Sequence, residues 1–140
     1  MTADTPDTPD TPDASSQPSF AALYAEQVRE AIRTVAREEL AGGAVADAQA
    51  RHYAARGKPD FALAYLLESA LADDEKRAIY AEAFERRAAL TEGKAREFDA
   101  KFHRPFPLLA SDAAQDRGRA RQVREGRRMG KGAGKQLPLI

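Results

Sequence analysis

The chain has 140 residues, in which 22 Lys and Arg residues balance 22 Asp and Glu residues, and it contains no cysteine. This length suits one domain, and the lack of cysteine excludes disulfides, thiolate metal sites and cysteine nucleophiles. The chain opens without a basic and apolar signal, and its longest apolar run, residues 61–67, is too short to span a bilayer. We therefore expect a cytoplasmic protein with no membrane partner.

An acidic leader begins the chain. The unit Thr-Pro-Asp occurs three times in succession over residues 5–13, and Asp4, Asp7, Asp10 and Asp13 face no base before residue 18. Proline removes a backbone donor and turns the preceding residue away from helix, and no large apolar residue before Phe20 offsets the entropy of ordering. Residues 1–18 are predicted to be disordered.

The middle of the chain, residues 19–110, predicts an all-α domain, a small bundle of about four helices. Ser19 is a suitable N-cap for a first helix over residues 19–41, which Gly42 and Gly43 end. The apolar stripe expected to face the core consists of Tyr24, Val28, Ala31, Ile32 and Val35. A second helix is predicted over residues 45–56 and a third, apolar almost all round, over residues 60–71.

A long fourth helix is predicted from Asp73 or Asp74, either of which suits its N-cap, to residue 103. Its stripe keeps spacings of three and four across Gly93 and comprises Tyr80, Phe84, Ala88, Thr91, Ala95, Phe98 and Phe102. The aromatic far end of so long a helix needs a cover. The candidates are the returning segment, residues 105–109, and the same helix of a second copy, as in a homodimer.

From this stripe we take four aromatic residues as candidates for a partner interface. They are Tyr80, Phe84, Phe98 and Phe102.

The C-terminal segment, residues 111–140, is predicted to be a basic tail that is disordered or partly helical until it is bound. Its bases are candidates for contact with nucleic-acid phosphates: Arg117, Arg119, Arg121, Arg124, Arg127, Arg128, Lys131 and Lys135. Guanidinium forks match phosphate geometry, and four of these arginines would share one side of a helix. The competing interpretation is compositional bias, because 16 of the 22 bases in the chain are arginine.

Catalytic chemistry finds little support in the residue pattern. His52 and His103 are the two histidines, and His103 with Asp99 one turn earlier lacks a third zinc ligand. Residues 130–136 depart from a phosphate-binding loop, because the motif requires glycine at Met129 and a hydroxyl residue at Gln136. No catalytic residue, metal site or cofactor is predicted, and the protein is not expected to be an enzyme.

Two hypotheses of function follow. The first is a non-enzymatic accessory or adaptor protein whose bundle binds a protein while its basic tail contacts nucleic acid or another polyanion. The alternative is a purely structural or regulatory protein-interaction module in which both tails only keep the chain in solution. A homodimer through the stripe from Tyr80 to Phe102 is one form of this alternative.

Overall fold

The computed structural model describes residues 18–129, and this part of the chain contains helices and no strand. The helices are α1 (Phe20–Tyr24), a short 3-10 helix (Ala25–Gln27), α2 (Glu30–Ala41), α3 (Ala46–Ala55), α4 (Pro59–Leu67), α5 (Asp73–Phe102) and α6 (Pro107–Arg124). The predicted all-α class is confirmed. The predicted number of about four helices is too low for residues 18–129, which form six α-helices. None of these helices is long and apolar enough to cross a membrane.

The first predicted helix, residues 19–41, is divided in two. Ser19 caps α1 as expected, because its hydroxyl accepts a hydrogen bond from the amide of Ala22 at 3.1 Å. Val28 and Arg29 then take extended backbone conformations, with ψ of 134° and 148°. The chain therefore changes direction before α2 begins, and a continuous helix is excluded.

This break changes which residues of the predicted first stripe reach the core. Tyr24, Val28 and Ile32 are buried as expected. Ala31 lies at the surface and the side chain of Val35 is 48% exposed. The single periodicity assumed for residues 19–41 fails because α2 starts with a new rotational phase after the extended pair.

The second and third predicted helices correspond to α3 and α4, but α4 ends at Leu67 instead of residue 71. The turn that ends it is held by Ser69, whose hydroxyl donates to Asp47 Oδ1 at 2.6 Å and accepts from the amide of Leu71 at 3.0 Å. A serine that binds local backbone and a neighbouring carboxylate offers the chain an alternative to further helical hydrogen bonds.

Helix α5 runs unbroken through Gly93, as the phase of its stripe predicts. Its predicted N-cap is not Asp73 or Asp74, because Ala72 occupies the cap position without a side-chain hydrogen bond. Asp73 instead accepts a hydrogen bond from the amide of Phe20 at 3.1 Å. The carboxylate thus satisfies a free amide at the start of α1 and ties the first helix to the longest one.

The core lies where α1 and α4 meet the first half of α5. Four aromatic rings form its centre, with centroids 4.9 to 5.9 Å apart, and they belong to Phe20, Tyr24, Tyr80 and Phe84. Val123 and Met129, from the far end of the chain, are buried in the same cluster. The hydroxyl of Tyr24 donates to the carbonyl oxygen of Arg127, so the segment after α6 is anchored on α1.

Helices α5 and α6 form an antiparallel pair, called here the α5–α6 hairpin. His103 ends α5 in the left-handed conformation, with φ of 58°, and its amide donates to the carbonyl oxygen of Asp99 at 2.7 Å. The predicted domain boundary at residue 110 falls inside α6. This helix packs along α5.

Candidate functional site

The basic residues predicted to bind nucleic acid lie mostly on α6, and two of them are engaged by carboxylates of α5. Arg117 forms two hydrogen bonds with Glu92, at 3.1 and 2.5 Å. Arg124 does the same with Glu85, at 3.1 and 2.7 Å. These hydrogen bonds raise the pKa of both arginines, and the bond from Arg117 lowers the pKa of Glu92. Both guanidinium groups therefore already form contacts between α5 and α6.

Arg119 is used in the same way, in a more buried setting. The carboxylate of Asp116, 4% exposed, accepts two hydrogen bonds from Arg87 at 2.8 and 3.0 Å and one from Arg119 at 2.8 Å. The hydrogen bond to Asp116, more than any other influence, raises the pKa of Arg87. This buried carboxylate with its two guanidiniums joins α5 to α6 at mid-length.

The remaining predicted cations differ in their surroundings. Arg127 pairs with Glu125 at 3.0 Å, at an exposed position. Arg121 and Arg128 are exposed, and no carboxylate of residues 18–129 lies within ion-pair distance of either. Lys131 and Lys135 fall outside the described residues. The predicted basic surface is thus a mixture of paired and free arginines.

Two shallow grooves beside α6 carry this mixed charge. One, of about 430 Å³, is lined by Glu85, Arg117, Arg121, Arg124 and Glu125. The other, of about 510 Å³, brings Arg51, Arg86 and Arg124 together with Glu82 and Glu85. Since acids alternate with bases in both, a phosphate backbone laid here would meet carboxylates and would have to displace existing ion pairs.

Two of the four predicted interface residues are unavailable to a partner. Tyr80 is 1% exposed and Phe84 is 4% exposed, because both rings fill the aromatic centre of the core. The stripe on α5 is therefore not uniform along its length. The buried residues of α5 all lie between Ile79 and Ala88, and none follows Ala88.

Phe98 and Phe102, the other two predicted interface residues, lie at the far end of the hairpin. Their ring centroids are 6.0 Å apart, and Phe106 from the loop before α6 lies 5.5 Å from Phe98 and 6.0 Å from Phe102. Of the two predicted covers, the returning segment of the same chain thus contacts this end. The cover is incomplete, because Phe102 stays 53% exposed and Leu108 is 78% exposed.

We call Phe98, Phe102, Phe106 and Leu108 the distal surface. Two cations border it: the ammonium of Lys101 lies 5.6 Å from the ring centroid of Phe102, and the guanidinium of Arg104 lies 5.3 Å from that of Phe106. Cations at these distances are attracted by the ring electrons. Because the exposed carboxylates of Glu97 and Asp99 flank Phe98 in the sequence, both signs of charge occur around the apolar rings.

The tyrosines with raised pKa values, Tyr24, Tyr65 and Tyr80, are buried in the core of the bundle. Burial, followed by the hydrogen bond that Tyr65 donates to Glu39, raises the pKa of Tyr65 to about 12. Burial also raises the pKa of Tyr80. Within residues 18–129, no three His, Asp or Glu side chains converge as a metal site would require. The buried rings of Tyr65 and Tyr80 contribute to packing of the core.

The sequence pattern did not identify Phe106 or Leu108 as part of a partner surface. It also did not identify the Arg87–Asp116 ion pair as a contact between α5 and α6. The sequence pattern assigns Phe106 and Leu108 only to a covering segment, whereas in the structure Leu108 is exposed and the half-buried ring of Phe106 lies beside that of Phe102. Asp116 belongs to a row of residues at spacings of three and four, called here the seam. This spacing could have predicted a face of α6 that packs on another helix. The residues of that seam are Phe106, Leu109, Ala113, Asp116, Ala120 and Val123.

A scan against protein-family models matched no family, and searches of the curated proteins and of the solved structures each returned no significant match.

Proposed function

We propose that the protein is a non-enzymatic interaction module that binds a protein partner through the distal surface of the α5–α6 hairpin. The observation that carries this proposal is the exposure of Phe102 (53%), whose ring lies beside those of Phe98 and Phe106, together with the exposure of Leu108 (78%) two residues after Phe106. Exposed clusters of large apolar side chains are typical of protein interfaces, where aromatic residues supply much of the binding energy.

The contribution of the hairpin to the fold supports this assignment. Beyond Ala88, no residue of α5 is buried, so its last turns add little to the core. Replacing a phenylalanine at such a position by alanine should change the stability of the fold little. A binding role accounts for phenylalanines at the end of the hairpin, whereas a packing role accounts for Tyr80 and Phe84.

The test is co-precipitation from an extract of the native host, treated with nuclease so that nucleic-acid tethers are removed. The tagged full chain is compared with the variant Phe102→Ser/Leu108→Ser. We expect discrete partners with the wild type and their loss with the variant. A control variant, Val35→Ser/Val45→Ser, removes two other exposed apolar side chains (48% and 61% exposed) and should keep the partners. Partners that survive in the distal variant contradict the proposal.

Binding of nucleic-acid backbone is a second candidate function, and the exposed, unpaired state of Arg121 and Arg128 within the described residues favours it. Each phosphate contact releases counterions, so affinity for an oligonucleotide should fall steeply with salt. We expect Arg121→Ala/Arg128→Ala to weaken binding. The salt dependence of the affinity should decrease by an amount that corresponds to about two phosphate contacts. Binding that does not change in this variant removes the second candidate.

A homodimer through the distal surface is the competing form of the first proposal. Light scattering on the full chain distinguishes the two: a monomer mass at high concentration supports a different protein as partner. A dimer mass that Phe102→Ser/Leu108→Ser converts to a monomer mass supports self-association.

A further inference from the structure

The positive charge of the described chain is concentrated on the middle of the α5–α6 hairpin. Residues 82–97 and 112–129 together contain ten Lys and Arg residues and seven Asp and Glu residues, whereas residues 19–81 contain eight and ten. Three of the arginines, Arg117, Arg121 and Arg124, follow one another on α6 at spacings of four and three, and all three line the groove of about 430 Å³. Their guanidiniums therefore share one face of the hairpin.

Acidic side chains lie along the same face, and those that line the groove already have partners. The ion pairs are Glu85 with Arg124, Glu92 with Arg117 and Glu125 with Arg127. The hydrogen bond from Arg117, and in smaller part the charge of Arg96, lower the pKa of Glu92, so Arg96 lies near the same carboxylate. No carboxylate of residues 18–129 lies within ion-pair distance of Arg96 or Arg121. Positive groups thus remain in excess after the pairs are counted.

The carboxylates bound to Arg117 and Arg124 can be displaced at low cost. Side chains of the Arg117–Glu92 pair are 45% and 37% exposed, and those of the Arg124–Glu85 pair are 46% and 40% exposed. Solvent screens exposed ion pairs, so each contributes little to stability. Once released, both carboxylates are hydrated where they stand, unlike the buried Asp116. A ligand that carries many anionic groups can therefore compete for these two guanidiniums.

The lining of the groove favours a phosphate backbone over other anionic ligands. Its five lining residues are all charged, so an amphipathic helix or a membrane would bury no apolar side chain there. A guanidinium can donate two hydrogen bonds to one phosphate, and each neutralised phosphate releases counterions. Residues 107–129 contain no aromatic side chain on which the bases of a single strand could stack. A double strand needs no stacking and presents the denser row of phosphates.

Resting on the second candidate function, we propose that Arg117, Arg121 and Arg124 bind the phosphate backbone of double-stranded nucleic acid. Glu85 and Glu92 occupy two of these guanidiniums until the duplex displaces them. The two carboxylates of α5 therefore act as internal competitors that lower the affinity for every anion. A dense row of phosphates overcomes this competition, whereas isolated anionic groups do not.

The test measures binding of a fluorescent duplex of about 20 base pairs to the full chain, by anisotropy at low salt. Glu85→Gln/Glu92→Gln keeps the size of both side chains and removes their charge, so Arg117 and Arg124 lose their competitors. We expect this variant to bind the duplex about tenfold more tightly than the wild type does. Circular dichroism checks that its helices are kept. Unchanged or weaker binding overturns the inference.

A matched control separates displacement from a general change in net charge. Glu26→Gln/Glu38→Gln removes two exposed carboxylates from the 3-10 helix and α2, and neither forms an ion pair within residues 18–129. This control should strengthen binding by less than about threefold, because its carboxylates do not compete for the arginines of the groove. An equal gain in the two variants overturns the inference.

A third variant distinguishes failure of this inference from failure of the second candidate function. Arg117→Ala/Arg124→Ala should weaken binding and lower the salt dependence by an amount that corresponds to about two phosphate contacts. If it binds as the wild type does while Arg121→Ala/Arg128→Ala binds more weakly, the chain binds nucleic acid but the inference is wrong. If the wild type binds no duplex, the second candidate function fails as well.

The single strand of the same sequence and a polyglutamate peptide serve as competing probes. Neither should displace the duplex when it is added at the same concentration of anionic groups. Displacement by the single strand would contradict the preference for a double strand. Displacement by polyglutamate would assign the groove to an acidic protein segment. Either result overturns the inference.

Discussion

The two halves of the α5–α6 hairpin have the same sequence pattern and different surroundings. The core half comprises residues 79–88 of α5 and 116–123 of α6, and its buried side chains join those of α1 and α4. The distal half comprises residues 90–109, none of which is buried. A regular stripe of apolar residues therefore predicts which face of a helix is apolar, but it does not predict what covers that face.

Pairing between the two helices follows a seven-residue step. Glu85 and Glu92 on α5 bind Arg124 and Arg117 on α6, so each step forward along α5 matches one step backward along α6. Such flanking ion pairs set orientation in coiled coils, and a polar residue within the seam sets register. Asp116, bound to Arg87, is that residue here.

The largest expected contrast is between two phenylalanines of the same stripe. Phe84→Ala should lower the free energy of unfolding by about 3 to 5 kcal/mol, because it leaves a cavity among packed rings. Phe102→Ala should lower it by less than about 1 kcal/mol, because its side chain is already 53% exposed. Urea denaturation followed by circular dichroism measures both. Similar losses in the two variants would abolish the distinction between the halves.

The second contrast concerns ion pairs. Asp116→Ala should cost about 2 to 3 kcal/mol, because it leaves the guanidinium of Arg87 without its carboxylate near the core, although partial exposure of Arg87 permits some hydration. Glu92→Ala removes an exposed pair and should cost clearly less than Asp116→Ala, because solvent screens exposed ion pairs. Urea midpoints at low and high salt check this, and the Glu92 effect should shrink as salt increases.

The third contrast uses glycines. Gly57 has φ of +69°, and an added Cβ would lie 3.0 Å from the amide nitrogen of Arg87 and 3.1 Å from its Cα. Gly57→Ala should therefore destabilise the protein by about 1 to 3 kcal/mol, since it strains the turn and pushes α3 away from α5.

Gly118→Ala is the matched control for that substitution. Gly118 is helical and an added Cβ meets nothing within 4 Å, so alanine should stabilise α6 by about 0.5 to 1 kcal/mol. Thermal unfolding of both variants gives the comparison. A destabilising Gly118→Ala would mean that the outer face of α6 is not free.

Alkaline pH should act on the core of the bundle, to which Tyr65 of α4 belongs, and not on the distal half. Burial and the bond to Glu39 raise the pKa of Tyr65 to about 12 from the usual 10.0, so ionisation is easier in the unfolded chain. Stability from this group is complete below pH 10 and decreases above it, by about 1 kcal/mol one unit higher. Residues 90–109 contain no tyrosine. Urea midpoints at neutral and alkaline pH measure the loss, which Tyr65→Phe should reduce. An unchanged loss in that variant would contradict the assigned cause.

Much of the helical framework could be predicted from local signals. The Ser19 cap and the unbroken stripe across Gly93 each depend on residues within a few turns of one another. The break at Val28 and Arg29 could not be predicted, because no glycine or proline marks it in residues 24–30. Tertiary context can override the local helical preference of such a segment.

The distal surface could be predicted in part and the role of the arginines could not. Phe98 and Phe102 were found from spacing, but spacing alone did not distinguish them from the buried Tyr80 and Phe84. Helix α6 buries small residues and one aspartate, a seam with low apolar contrast, so its sequence resembles that of a solvated tail. The pairing of Arg117 and Arg124 depends on the register of two helices, which no single segment encodes.

The most direct measurement of the central claim is site-specific photo-crosslinking in the native host. A photoreactive phenylalanine analogue at Leu108 is compared with the same analogue at Val45, an exposed apolar position outside the hairpin. The account predicts a discrete adduct with a different protein from position 108 and none from position 45. Adducts from position 45 alone, or none from position 108 in cells that produce partners, would contradict it.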